Sequence, residues 1–233
     1  AGATALNYSP VIELLQTNAG QVRGVVVQDA TNPSLTKEVK AGLVINATGV
    51  WADDIRVKMK HSRMLRAIRG SHLVFSKDTL PLTEALTFFH PRDNRAVFAV
   101  PWQNAILVGT TDVDHKESLD IEPTISSSES EYILELLKRV FPEHPLELSD
   151  AIASYAGVRP VINSGKSDPS KESREHIVFL ENGHRSRELL VHVGDSHRKG
   201  HRRKVRGTRR IHNLVQVDRP VFAAHVGVEL AVR

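Results

Sequence analysis

The chain has 233 residues, 40% hydrophobic and 25% charged, enough for one large or two small globular domains with a real core. At 5% aromatic content that core must rest on Val, Ile, Leu and Ala, and the lack of cysteine excludes disulfides, thiolate zinc sites and cysteine nucleophiles. The net charge of +4 hides an asymmetry: residues 184–233 hold 12 of the 31 basic and 4 of the 27 acidic residues, a surplus of 8, against a deficit of 4 in residues 1–183. A reducing compartment is compatible with this composition. No run of about 18 apolar residues occurs, so no transmembrane helix is expected. The opening Ala1-Gly2-Ala3-Thr4 carries neither an initiating Met nor a signal-type segment, and reads as the middle of a longer chain.

In chain order, Ala5–Tyr8 and Val11–Leu15 read as short strands, Asn18-Ala19-Gly20 as a turn, and Val22–Asp29 as a stronger strand. After the Asn32-Pro33-Ser34 turn, Glu38–Ala41 leads into Leu43-Val44-Ile45-Asn46, an apolar run suited to a buried strand. Trp51–Lys60 predicts a short helix with Asp53 and Asp54 at its positive end. Strands are predicted at Ser71–Phe75, Leu86–Phe89, Ala96–Pro101 and Ala105–Gly109, as in a largely antiparallel sheet. Ser126-Ser127-Ser128-Glu129 is a helix-entry signal. The helix after it, Glu129–Val140, places Ile133, Leu136, Leu137 and Val140 on one face, and Pro142 stops it. Ile152–Pro160 reads as a strand and rigid turn, and Ile177–Leu180 as one more strand closed by Asn182-Gly183. Beyond Gly183 no strand alternation or helical stripe lasts.

Four stretches, in this order and spacing, resemble the FAD-dependent glycerol-3-phosphate dehydrogenases within the wider D-amino-acid-oxidase-like flavoproteins. They are Val44–Asp53 with its Asn46-Ala47-Thr48-Gly49 core, Arg69-Gly70-Ser71-His72-Leu73-Val74, Val100-Pro101-Trp102 with Val108-Gly109-Thr110-Thr111-Asp112, and Tyr155-Ala156-Gly157-Val158-Arg159-Pro160. The resemblance runs over residues 2–183. It implies an α+β fold in three parts. Residues 1–66 are part of an FAD-binding Rossmann-like domain without its N-terminal fingerprint. Residues 67–183 are a mostly antiparallel substrate-domain sheet with flanking helices, returning to the FAD domain near 151–183. Residues 184–233, where the resemblance stops and the charge changes abruptly, read as a basic tail that is disordered, an unrelated extension or read in a shifted frame. The Gly-x-Gly-x-x-Gly turn and the Gly-Gly-Lys-Leu-Thr-Thr stretch of the family do not occur, and His184-Arg185-Ser186-Arg187-Glu188 stands where the latter is expected. A chain with only these parts is expected to bind FAD poorly and turn over slowly.

Oxidising glycerol 3-phosphate needs a hydride acceptor, a base for the hydroxyl proton, and cations for a dianion. The resemblance implies Arg159 as a substrate-binding and catalytic group, with a guanidinium fork that suits phosphate; the bland reading is a surface ion pair. Arg174 in Ser173-Arg174-Glu175 is a second phosphate contact by resemblance, or a solvated loop charge beside Lys171 and Glu172. His72 suits proton transfer or a hydrogen bond to the substrate hydroxyl, against a satisfied core histidine. Ala47, Thr48, Gly49, Trp51 and Gly157 are the implied FAD contacts: Gly49 allows close backbone approach and Thr48 can donate its hydroxyl, against an ordinary strand-end turn. Asp112 could orient a neighbouring cation, but capping a turn is the preferred reading. Trp102 reads as packing.

By resemblance the parent passes electrons from FAD to a membrane quinone, as a peripheral protein on the cytoplasmic face of the inner membrane in glycerol and lipid metabolism; a homodimer is left open. No metal site is expected, since His197 and His201 lack a supporting acid. The run Arg198–Lys204 could hold nucleic acid by charge, but no aromatic residue interleaves it, and no specific nucleic acid is expected. The rival functions are another FAD-dependent amino-acid or amine oxidase, against which the Arg159 and Arg174 pair argues, and a non-enzymatic nucleic-acid-binding protein acting through the tail.

Overall fold

The structure, a computed structural model, describes residues 4–175, 177–181, 189–193 and 228–231. The chain divides into two compact units, one of residues 1–65 with 174–233 and the other of residues 66–173.

The first unit opens without the strand expected at Ala5–Tyr8. Leu6 and Tyr8 are exposed, and the φ of 52° at Tyr8 breaks extended geometry, so the segment keeps a single backbone bond, the Tyr8 carbonyl accepting from the amide of Ala30 at 2.9 Å, and builds no ladder. The meander follows as β1 (Val11–Gln16), β2 (Val22–Gln28) and β3 (Thr36–Lys40), antiparallel in that order. Leu14, Val22 and Val25 supply its buried side. The Asn32-Pro33 turn is tied by Asp29, whose Oδ1 accepts from the amides of Thr31 (2.7 Å) and Asn32 (3.2 Å).

β4 (Leu43–Asn46) lies inside a different sheet. A 3-10 turn over Gly49–Trp51 leads to α1 (Ala52–Lys58). Asp53, expected only to favour the helix dipole, is buried: its Oδ1 accepts from Nη1 of Arg56 at 2.7 Å and its Oδ2 from the amides of Met64 and Leu65 at 2.9 and 2.8 Å. Arg56 also donates from Nε to Oε1 of Glu181 at 2.7 Å. A guanidinium between two carboxylates satisfies charges that would be costly to bury alone.

The second unit is built on β5 (Leu65–Ser76), β6 (Leu86–Phe89), β7 (Ala96–Trp102), β8 (Ala105–Gly109), β9 (Val113–Asp114), α2 (Ser127–Val140) and β10 (Ala151–Ile162). Its sheet runs in the order β10-β5-β8-β7-β6, with β9 beside β5, and every pairing with a recorded register is antiparallel. One face carries Leu73, Phe75, Val97, Ala99, Ile106 and Val108, which pack against Ile133, Leu136 and Leu137 of α2. Alternation along each strand sends every second side chain there, and the i, i+3, i+4 spacing in α2 meets it. Each buried Val, Leu, Ile or Phe side chain among them contributes about 1.5–3 kcal/mol. Helix entry is set by a capping box, Oγ of Ser126 accepting from the amide of Glu129 and Oε2 of Glu129 from the amide of Ser126 at 3.0 Å.

Two expectations are corrected here. The stretch through Pro160 is no turn: β10 runs unbroken to Ile162, because at the edge of the sheet a missing N–H can face away from the ladder. Trp102 is 59% exposed and does not pack into the core.

The chain returns to the first unit as β11 (Ile177–Glu181), β12 (Leu189–Val193) and β13 (Val228–Ala231). With β4 they form a sheet in the order β11-β12-β4-β13, β12 parallel to β4 and β13 antiparallel to it. Two short strands therefore stand within 184–233, where no lasting alternation was read. The rest of that stretch, including His197, His201 and the run 198–204, lies outside the described residues.

Candidate active site

In the first unit, the Asn46-Ala47-Thr48-Gly49 element is organised by its first residue. Asn46, 1% exposed at the end of β4, donates from Nδ2 to the carbonyl of Ala52 at 2.9 Å. Its Oδ1 accepts from Thr48, from the hydroxyl at 2.7 Å and the amide at 3.3 Å. The Thr48 proton expected to serve a cofactor is thus committed to Asn46, because a buried amide oxygen must be satisfied. Its signal was local: an Asn two residues before a Thr after an apolar strand makes such an Asx turn.

The same turn leaves a bare backbone surface at the strand end. Ala47 is exposed, and Gly49, at φ 61°, has no atom within 4 Å of where a Cβ would stand. Trp51 is half-buried in the 3-10 turn. The crevice beyond strand ends is where open α/β sheets take ligands. Ala47 and Gly49 therefore fit the flat approach of a flavin nucleotide, and Thr48 supports them from within.

The second unit gathers His72 and Arg159. His72 is on the face of β5 opposite Leu73 and Phe75, paired with Gly109 of β8. Tyr155, Gly157 and Arg159 recur at every second residue of β10 and so share one face. The Tyr155 ring stacks on His72, centroids 4.6 Å apart and planes 7° from parallel. A Cβ on Gly109 would strike the His72 ring, and a Cβ on Gly70 would strike Nη2 of Arg159 and Oγ1 of Thr110. These glycines let a ring and a guanidinium lie flat on the sheet. Gly157 is exposed, with open space where a side chain would stand.

Burial, and secondarily the charge of Arg159, push the His72 imidazole down to about 4. It is therefore neutral near pH 7. Its Nδ1 is buried with no hydrogen-bond partner among the described residues, an open valence of the kind an enclosed ligand site leaves.

Arg159 is held by the segment after β8. Its Nη2 donates to Oγ1 of Thr110 at 3.4 Å and stands 3.6 Å from Oδ1 of Asp112. Asp112, 5% exposed, also pairs through Oδ2 with Arg95 at 2.9 Å. The turn-cap reading of Asp112 is corrected: a buried carboxylate needs cations, and it orients two. The Gly109–Thr110 peptide bond is cis. Arg174 is exposed and falls in the first unit, whereas Arg159 falls in the second. Among the described residues no cluster of three or more His, Asp or Glu could hold a metal, and no helix is long and apolar enough to cross a membrane.

A strand end with bare backbone in one unit and, in the other, an antiparallel sheet carrying a histidine beside an arginine are features of the flavin-dependent oxidoreductase class. The FAD dependent oxidoreductase family matches residues 1–197, and the chain belongs to it. It is 37% identical over 180 residues to the aerobic glycerol-3-phosphate dehydrogenase of Bacillus subtilis, covering 76% of this chain and 32% of that protein. The glycerol-3-phosphate dehydrogenase of Bacillus halodurans, solved in complex with FAD, superposes with a TM-score of 0.68 at 31% identity, over 82% of this chain and 35% of that one. Glycine oxidase from Geobacillus kaustophilus superposes with a TM-score of 0.54 at 19% identity and shares the fold. The chain spans about a third of the length of the curated relatives it matches.

Proposed function

We propose that this chain belongs to an enzyme that oxidises sn-glycerol 3-phosphate to dihydroxyacetone phosphate, with FAD as hydride acceptor and a membrane quinone as the final acceptor. The observation that carries the reading is a neutral His72 stacked on Tyr155 beside Arg159. The relatives named above support the substrate.

When bound, FAD supplies the acceptor for the hydride leaving carbon 2. The work of this chain is then to bind, orient and deprotonate. The Arg159 guanidinium takes the phosphate, where two parallel N–H donors match two oxygens. His72, neutral at working pH, accepts the proton of the carbon 2 hydroxyl as the carbonyl forms. Ala47, Gly49 and Trp51 of the first unit, and Gly157 of the second, are the proposed contacts to the cofactor. Arg174 is proposed as a second cation for the phosphate.

The test uses the full-length protein. Glycerol 3-phosphate is expected to bleach the flavin absorbance, and glycerol to do so far more weakly, because the phosphate supplies the binding energy that holds carbon 2 in place. Equal reduction by both polyols, or reduction by glycine or another amino acid instead, overturns the reading in favour of an amino-acid oxidase.

A further inference from the structure

One buried carboxylate has no part in the chemistry above. Glu129, 2% exposed, sits in the first turn of α2 on the face of the sheet away from His72. A capping box would occupy it only with Ser126, whose Oγ donates to Oε2 at 2.7 Å. It collects three further donors. Arg69 pairs with Oε2 at 2.8 Å, and Oε1 accepts from the hydroxyls of Ser71 at 2.8 Å and Thr111 at 2.7 Å. Burial pushes the Glu129 carboxyl up, but the hydrogen bonds from Thr111, Ser126 and Ser71 together outweigh it and hold it below its ordinary value.

These donors lead straight to the site. Ser71 immediately precedes His72. Thr111 lies between Thr110 and Asp112, the two groups that hold Arg159. Oγ1 of Thr111 also accepts from the amide of Ser71 at 2.9 Å, so Thr111 is fixed by the strand on one side and by Glu129 on the other. A hydroxyl that donates to a carboxylate and accepts from an amide has one orientation open to it.

We infer that Glu129 is a positioning residue that aims His72 and Arg159 from behind the sheet, acting through Ser71 and through Thr111. The inference rests on the reading of His72 and Arg159 as the substrate groups. Glu129 touches neither substrate nor cofactor. Its charge locks the residue 109–112 segment against β5, and the locked segment fixes where the guanidinium points. Small displacements of such groups cost about 100-fold in rate when they spoil alignment.

The test takes three variants of the full-length, FAD-loaded protein. Glu129→Gln keeps the size but strands Arg69 and one hydroxyl. Thr111→Val cuts the same chain without touching the Glu129 to Arg69 pair. Ile133→Val removes one core methyl from α2 and serves as a stability-matched control. Both network variants are expected to raise KM for glycerol 3-phosphate, and the Kd of inorganic phosphate as a competing probe, about tenfold. They are also expected to move the His72 titration, followed by NMR, back toward the ordinary histidine value as the Arg159 charge drifts off. Ile133→Val lowers Tm and leaves KM, phosphate Kd and the His72 titration in place. The His72 titration needs no substrate, so it decides the inference even if glycerol 3-phosphate fails to reduce the flavin. If Thr111→Val melts earlier but keeps the wild-type His72 titration and phosphate affinity, Glu129 only holds the fold and the inference is overturned.

Discussion

Tyr155 covers one face of His72, the two rings 4.6 Å apart and 7° from parallel, so a strand at the edge of the sheet shields the imidazole of the strand beside it. That shielding is part of the burial that keeps His72 neutral. Tyr155→Ala opens the face to water and is expected to return the His72 titration toward its ordinary value, read by NMR in the histidine region. Tyr155→Phe keeps the stacked ring and is expected to keep the shift.

The same shift gives stability a pH dependence. His72 titrates at about 4 when folded and near 6.5 when unfolded, so the unfolded chain binds the extra proton first. Its contribution is fully present above about 6.5 and is lost as pH falls to about 4, by about 3 kcal/mol at most. Urea unfolding between pH 7 and pH 4 is expected to show wild type losing that much more stability than His72→Phe. Equal losses in the two proteins would show that His72 is not shifted.

Gly70 is the point at which a substitution meets the Arg159 side chain directly. A methyl at Gly70 occupies the place of Nη2 of Arg159 and of Oγ1 of Thr110. Gly70→Ala is therefore expected to swing Arg159 away and raise KM for glycerol 3-phosphate about tenfold or more, as measured by steady-state kinetics. Arg159→Lys is expected to lose a similar factor by a different route, because an ammonium cannot offer the two-pronged donor set.

Asp112 is the carboxylate between Arg95 and Arg159. Asp112→Asn removes the charge and leaves two partly buried guanidinium groups facing each other. Breaking such a pair is expected to cost about 3 kcal/mol, measured by chemical denaturation. An unchanged unfolding midpoint would mean that solvent already screens both arginines.

Much of the architecture was legible in the order of residues. The apolar runs at Leu43–Asn46 and Ala105–Gly109 and the helical stripe of Ile133, Leu136 and Leu137 each became the element their periodicity predicts. Periodicity is a local property, written wherever one face meets water and the other does not. It failed at Ala5–Tyr8, where the left-handed backbone at Tyr8 breaks the extended run, and at Pro160, where a sheet edge tolerated a residue that usually ends strands.

The site divides the same way. The residue types at His72, Arg159 and Gly49 were visible because each brings chemistry or backbone freedom that few other residues supply. What Asp112, Glu129 and Tyr155 do was not, since an acid or a ring takes its role from its partners, and those stand up to 83 positions away, as Tyr155 does from His72. Sequence alone determined most of the strands in residues 11–181 and which positions bring an imidazole and a guanidinium. Only the tertiary structure decided that burial lowers the His72 titration, that Asp112 holds Arg95 and Arg159, and that Glu129 behind the sheet holds Ser71 and Thr111. Burial and the convergence of distant charges are properties of three-dimensional packing, and no local spacing encodes them.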